Sequence, residues 1–274
     1  MATERGRRII DDVPAIGWLV DQGWAARLFG ILIGLGAWIW LASVFPNRLM
    51  PFPLETLSLA WDITVSGAAF THIGWTLWLT LLSFVGTMIV GGAIGVAMGV
   101  NHYSKRFGTP YIIAGLSVPA VALAAAATLI FGFGSTAPVV ATVIAVFPFV
   151  AINVWKGVES LESDYIEMSK AFDVSVFRIL RRVVIPNAAP SLFTAMRFGL
   201  ALSWKVVTVV EIFAGSKGVG YKIMQTYQLY RFEEAWAWAV LFLIVILIIE
   251  YGFFKPLERK VFEYRQDADF QLLA

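Results

Sequence analysis

Residues 159–186 read ESLESDYIEMSKAFDVSVFRILRRVVIP and form a charged island between two long hydrophobic runs. Apolar residues recur along the island in steps of three or four, at Leu161, Tyr165, Met168, Phe172, Val176, Ile179 and Val183. This spacing predicts a short amphipathic helix, a break near Asp173, and a second helix that ends before Pro186. Taken alone, the pattern is also typical of a helix lying on a membrane surface. The island is long for a turn between spans, so we expect it to contact something in water.

The composition indicates a membrane protein. Of 274 residues, 59% are hydrophobic and 15% are charged, with a mean hydropathy of +0.75. Soluble domains carry about 25% charged residues. The chain has no cysteine and only two histidines, His72 and His102, which excludes thiolate chemistry and disfavours a histidine metal centre. It also lacks the G-x-x-x-x-G-K-S/T phosphate loop, so we expect no cofactor, no metal and no ATP hydrolysis in this chain.

Six apolar stretches are long enough to cross a membrane, which takes about 20 residues. They lie at about 25–45, 73–100, 110–131, 137–156, 188–214 and 235–254. The sequence therefore predicts an all-α, polytopic fold with a transmembrane domain over 25–254. Residues 1–24 and 255–274 would flank it as an N-terminal segment and a C-terminal tail, and no separate soluble domain is expected.

Basic residues are distributed unevenly between the two sides of these spans. Fifteen would share one side, namely Arg5, Arg7, Arg8, Arg27, Lys105, Arg106, Lys156, Lys170, Arg178, Arg181, Arg182, Lys255, Arg259, Lys260 and Arg265. The loops of the other side carry only Arg48, Lys217, Lys222 and Arg231. Loops rich in Lys and Arg stay in the cytoplasm, so both termini and the island are predicted to be cytoplasmic.

Small residues and prolines mark special positions in the spans. Gly91, Gly95 and Gly99 repeat every fourth residue and allow two helices to approach closely. Packing within the chain is the favoured interpretation, and a dimer face is the alternative. Pro119 and Pro148 lie inside the third and fourth spans, where each is expected to kink its helix.

The fifth span carries three ionisable residues, Arg197, Lys205 and Glu211. Such groups are costly in a membrane and are usually functional. Arg197 and Glu211 lie about 21 Å apart along a helix and cannot pair with each other. We hypothesise that Lys205 lines a translocation cavity and favours an anion. The other candidates for this pathway are Glu211, Arg197 and Trp204.

Each of these charges also has a purely structural alternative. Lys205 could pair with a carboxylate or a carbonyl of a neighbouring span. Glu211 could be an anchor that holds the outer loop at the end of the helix. Arg197 could reach the cytoplasmic interface.

The centre of the island resembles the EAA loop of ABC-importer permeases, by which such permeases dock on their ATPase subunits. It reads Glu167-Met-Ser-Lys-Ala-Phe-Asp173, followed after nine residues by Val183-Val-Ile-Pro186. The resemblance implies ATPase coupling for Glu167, Met168, Ser169, Lys170, Ala171, Phe172, Asp173 and Pro186. Asp173 replaces the family's glycine, and Met168 and Ser169 replace its two alanines. Asp tolerates a left-handed backbone better than most residues and can cap the next helix, so the turn remains feasible.

Further segments resemble the taurine, sulfonate and nitrate importer permeases. They are 195–204 (AMRFGLALSW), Glu211, and 218–223 (GVGYKI). In that family the position of Lys205 is usually uncharged, whereas Glu211 matches a recurrent Glu. The resemblance is good from about residue 150 onward, looser over 72–150, and slight before that.

This family resemblance implies the membrane-spanning subunit of a type I ABC importer with a cytoplasmic coupling helix, in a bacterial inner membrane. It also implies a homodimer, two ATPase subunits that bind ATP and Mg, and a solute-binding protein that meets loops 46–71 and 215–234. The chain itself would not be an enzyme. The substrate would be a small, anionic solute of the taurine, sulfonate or nitrate kind.

Two other classes of protein are alternatives. A secondary transporter or channel that needs no ATPase would favour charges paired across broken helices, or inverted repeats. Here three charges share one span, and no repeat is evident. An intramembrane enzyme would need a catalytic set of side chains in the spans, and no histidine lies deep in any of them.

Overall fold

The computed structural model describes residues 23–159 and 185–256, and these contain helices but no strand. The helices are α1 (Gly23–Val44), α2 (Pro53–Val65), α3 (Ala68–Val100), α4 (His102–Ser117), α5 (Ala120–Phe131), α6 (Thr136–Glu159), α7 (Ile185–Ala214), α8 (Val219–Gln228) and α9 (Phe232–Ile249). A π-helical segment, Glu250–Phe254, continues α9. The all-α prediction is therefore confirmed for the part of the chain that the structure describes.

Four helices have the length and apolar composition needed to span a membrane: Ala68–Val100, Thr136–Glu159, Ala189–Ala214 and Phe232–Phe254. They correspond to the predicted second, fourth, fifth and sixth spans. The apolar part of α1, Leu28–Val44, is shorter than these four. The first of the six predicted spans therefore stays a prediction.

The third predicted span is a bent pair of helices. Neither α4 nor α5 is long enough to cross a membrane alone, whereas the two together are, and they meet at 93°. Val118 and Pro119 at the bend are both extended, with ψ of 122° and 135°. Proline has no N–H to continue a helix and pushes the preceding residue out of the helical region. The predicted kink at Pro119 is thus a full break, whereas Pro148 lies inside the continuous helix α6.

The core of the bundle is built around α6. Helices α3 and α6 pack along their length, and a Cβ added to Gly91, Gly95 or Gly99 would lie 2.6–2.8 Å from a valine of α6. The valines concerned are Val150, Val154 and Val158. The glycine repeat therefore serves packing within the chain, as favoured from the sequence.

Two short helices were not predicted, and both lie in segments expected to be loops. Helix α2 begins at Pro53, where proline suits the first turn of a helix. Helix α8 packs against α3, α7 and α9. An apolar cluster joins α2, α3, α8 and α9 through Ala60, Ala69, Val219, Ala237, Trp238 and Leu241. We call this end of the molecule the α8 end of the bundle.

Candidate functional site

Helix α7 carries all three ionisable residues predicted for the fifth span, and each has different surroundings. Glu211 lies near the α8 end of the bundle and is 1% exposed. Its carboxylate oxygens lie 3.0 and 2.9 Å from the Thr76 hydroxyl of α3. Oε2 also accepts a hydrogen bond from the Gly220 N–H at 3.1 Å. Glu211 thus holds α8 and α3 to the end of α7, which matches the anchor that the sequence analysis kept as its alternative.

The first turn of α8 is capped by side chains from two other helices. The N–H groups of Gly218, Val219 and Gly220 donate to His72 Nδ1 (3.1 Å), Thr76 Oγ1 (2.9 Å) and Glu211 Oε2 (3.1 Å), respectively. The first N–H groups of a helix have no partner within it, and the helix dipole favours an acceptor carboxylate there. Three side chains therefore satisfy three consecutive donors, and α8 is fixed in position and orientation.

Glycine is required at two positions of this capped turn. Gly218 has φ +112°, and a Cβ there would lie 2.2 Å from Glu211 Oε1. A Cβ on Gly220 would lie 2.1 Å from the carbonyl oxygen of Thr208. The Gly-x-Gly in the sequence is thus explained by close packing on α7.

Lys205 lies on an unpacked face of α7. Its side chain is exposed, between the buried Trp204 and Val206. Phe198, two turns earlier on the same face, is 57% exposed. Within residues 23–159 and 185–256, no carboxylate or carbonyl pairs with the Lys205 amine. The pairing weighed as an alternative for Lys205 is therefore not found in the described part of the chain.

Arg197 forms an ion pair with Glu250, in the π-helical segment after α9. Both side chains are about one third exposed, at 31% and 30%. Glu250 was not among the predicted residues, although a carboxylate inside the predicted sixth span is a usable signal. Trp204 is 1% exposed and stacks on Phe242 of α9, with ring centroids 5.0 Å apart.

The predicted coupling residues 167–173 lie outside the described residues, and Pro186 lies in the first turn of α7. Their role stays a prediction. At the start of the island, Glu159 ends α6 and pairs with Lys105 of α4, whose amine lies 5.0 Å from the Trp155 ring centre. The described residues contain no group of three or more His, Cys, Asp or Glu that could hold a metal ion.

Comparisons with known proteins agree on one family. Residues 88–262, more than half of the chain, match the family described as the inner membrane component of binding-protein-dependent transport systems. The chain is similar to the putative aliphatic sulfonates transport permease SsuC of Bacillus subtilis, 24% identical over 90% of both chains. It is also similar to the taurine permease TauC of Escherichia coli, 24% identical over 69% of both chains.

A relative with another substrate is comparably similar. The riboflavin transport system permease RibX of Chloroflexus aurantiacus is 28% identical over 76% of this chain and 79% of its own. Among solved structures, an inward-facing MetNI methionine ABC transporter matches with a TM-score of 0.62 at 22% identity, covering 69% of this chain and 94% of that one. This likeness supports the fold.

Proposed function

Because this chain belongs to the inner membrane components of binding-protein-dependent transport systems, and is therefore the permease subunit of an ABC importer, we propose that it forms the translocation pathway for a small organic anion of the sulfonate class. The subunit is not an enzyme itself. In this proposal ATP and Mg are bound by separate ATPase subunits, and a solute-binding protein delivers the substrate.

The position of Lys205 is the reason for proposing an anion as the substrate. It lies nine residues from the end of α7, about 14 Å along the helix axis, and is exposed without a carboxylate or carbonyl partner in the described chain. An unpaired cation at that depth is costly, and an anion passing beside it would offset the cost. The names of the relatives leave several solutes open, since they include aliphatic sulfonates, taurine and riboflavin.

The uneven distribution of basic residues supports an orientation. We place the α8 end of the bundle outside the cytoplasm, where α2 and α8 would meet the solute-binding protein. The island would then lie on the cytoplasmic side with both termini. A second copy of this permease would complete the pathway.

The course of α7 supports a mechanism of coupling. The helix has 30 residues, about 45 Å in length, and begins at Ile185, so that its first two residues are the last two of the island. At its other end Glu211 holds α8. Movement of the island with the ATPase subunits would therefore be transmitted along one continuous helix to the α8 end. Rigid elements of this kind carry two-state changes over long distances.

Uptake into proteoliposomes tests the proposal. The permease is reconstituted with its ATPase and binding protein, and uptake of labelled taurine, an alkanesulfonate and nitrate is measured with and without ATP. We expect uptake of a sulfonate only with ATP, and its loss in Glu167→Ala. Lys205→Met should lower uptake at least tenfold.

The matched control is Lys255→Met, because Lys255 is an exposed lysine just after the π-helical segment and lies over the Tyr251 ring. This variant should retain uptake. Unchanged transport of every anion by Lys205→Met would refute the role of Lys205. Uptake that needs neither ATP nor Glu167 would instead establish a channel or secondary transporter.

A further inference from the structure

The imidazole of His72 caps α8 through one particular nitrogen. His72 lies in the first two turns of α3 and is partly exposed, and its Nδ1 accepts the N–H of Gly218 at 3.1 Å. A neutral imidazole has one acceptor nitrogen and one N–H, so this bond requires a neutral ring that carries its proton on Nε2. The bond to Gly218 therefore exists only while His72 is uncharged.

Two aromatic side chains hold the ring of His72 in this orientation. Tyr221 of α8 stacks on it, with ring centroids 6.4 Å apart and 22° between the planes. Trp238 of α9 meets it edge-on, with centroids 5.5 Å apart. A protonated imidazole has two donors and no acceptor, so no rotation of the ring within this packing would restore the bond.

The charges around His72 add to this effect. Lys217, before α8, and Lys222, in its first turn, both act on the imidazole by their charge. The carboxylate at the cap belongs to Glu211 of α7, which is bonded to Thr76 and to the N–H of Gly220. The start of a helix is also the positive end of its dipole, where a cation is unfavourable. A proton on His72 would thus add a third positive charge beside the start of α8 and repel it.

His72 is placed to exchange protons with water at the α8 end. It is partly exposed there, whereas the second histidine of the chain, His102, is exposed at the start of α4, beyond the opposite end of α3. Histidine ordinarily changes its charge near pH 6.5, and it is the side chain whose unperturbed pKa lies in the physiological range. The cap of α8 therefore contains a group that responds to mild acid.

We propose that His72 is a pH-sensitive cap, whose protonation releases the first turn of α8 from the bundle. Above about pH 6.5 the neutral ring completes the cap, and the cap is lost as the pH falls and the neutral form is depleted. The cap itself requires no transport. Its effect on uptake rests on the proposed function, in which α8 meets the solute-binding protein. A loosened α8 would bind that protein less well, so acid on this side would lower uptake.

Thiol labelling of the complete complex in nanodiscs tests the cap without transport. The chain has no cysteine, so Val219→Cys gives this subunit one thiol, at a position that is 0% exposed in the first turn of α8. Labelling of this subunit by a methanethiosulfonate is measured at about pH 7.5 and about pH 5.5, one unit on either side of the ordinary histidine value. The same measurement is made in His72→Asn, where the amide oxygen can replace Nδ1 as the acceptor and does not titrate.

The rate with His72 is divided by the rate in His72→Asn at the same pH, which removes the direct effect of pH on the thiol. This ratio should be about fivefold higher at the lower pH, the effect of one lost hydrogen bond. His72→Leu lacks the acceptor at every pH, so its ratio to His72→Asn should be high at both values. His102→Asn is the matched control and should keep the acid response.

Two results would overturn the proposal. One is an equal acid response with His72 and in His72→Asn, which would assign the response to Glu211, the other titratable group at the cap. The other is an unchanged ratio between the two pH values. If Val219→Cys fails to assemble, hydrogen exchange of residues 219–228 in the cysteine-free chain gives the same ratio and decides between these outcomes.

Uptake into proteoliposomes tests the consequence for transport. The pH is lowered only on the side that holds the binding protein, so the ATPase subunits stay near neutral pH. Uptake should fall about fivefold in the unaltered chain and little in His72→Asn. Equal losses in the two chains would contradict the effect of the cap on transport. Absence of ATP-driven uptake at either pH would contradict the proposed function instead, and the labelling result would still decide whether the cap responds to acid.

Discussion

The end and the middle of α7 lie only a few turns apart, yet they differ in whether their polar groups have hydrogen-bond partners. At the end, Glu211 and the N–H groups it faces are all paired. In the middle, the buried Ser203 hydroxyl and Trp204 N–H have no partner within the described chain, and Lys205 is exposed. Buried polar groups that are fully satisfied rigidify a structure. The comparison therefore separates an anchor at the end from a region in the middle that hydrogen bonds hold less firmly.

The largest effect is expected where the anchor is most tightly packed, at Gly218. The change Gly218→Val places a side chain 2.2 Å from Glu211 Oε1, at a φ of +112° that valine rarely adopts. We expect the yield of assembled complex to fall at least tenfold, as measured by size-exclusion chromatography. The control is Gly92→Ala in α3, where an added Cβ meets nothing within 4 Å. Equal yields from the two variants would contradict the anchor.

Replacing Glu211 tests which feature of the anchor matters. Glu211→Ala leaves the Gly220 N–H without its acceptor and should cost about 2–3 kcal/mol of stability. Glu211→Gln keeps an oxygen for Gly220 and should cost less. Thermal unfolding of the complex shows which of the two variants is less stable. If alanine and glutamine are equally destabilising, the hydrogen bonds to Glu211 are not what holds α8.

Two threonines one turn apart on α3 give a matched test of the comparison. Thr76 binds Glu211 and accepts from Val219, whereas Thr80 has no partner in the described chain. Thr76→Val should destabilise by about 1–2 kcal/mol because it leaves buried groups unpaired. Thr80→Val should leave stability unchanged or raise it, because it removes an unpaired hydroxyl. The unfolding temperatures of the two variants test this expectation. A lower unfolding temperature for Thr80→Val than for Thr76→Val would contradict it.

The smallest effect on stability is expected at Lys205. The side chain is exposed, so Lys205→Met should change the free energy of unfolding by less than about 0.5 kcal/mol. The same variant is expected to lose anion uptake, so function and stability would separate at this residue. Lys205→Arg keeps the charge and should restore part of the uptake. A marked loss of stability in Lys205→Met would show that Lys205 is structural instead.

The structural features that depend on local composition could be predicted from the sequence. Long apolar runs predicted four spans correctly, and Pro119 marked the bend between α4 and α5, although its size of 93° was not foreseen. Helices α2 and α8 were missed because each is short and is held by packing against other helices. No local pattern reports such contacts.

The partners of the charged residues lie too far along the chain to be predicted. Thr76 is 135 positions from Glu211, and Glu250 is 53 positions from Arg197. The anchor interpretation of Glu211 was weighed from its place at a helix end, and the structure supplied the contacts. The stacking of Trp204 on Phe242 requires α7 and α9 to be in place, so it could not be inferred from the sequence.

The fit between α3 and α6 also limits how these helices can slide past each other. Three glycines spaced four residues apart face three valines with the same spacing. Displacing α6 by part of a turn would drive a valine into backbone, and only a step of a whole turn, about 5–6 Å, restores the fit. We therefore expect these two helices to take discrete positions relative to each other, and gradual shear during a transport cycle to occur between other pairs of helices.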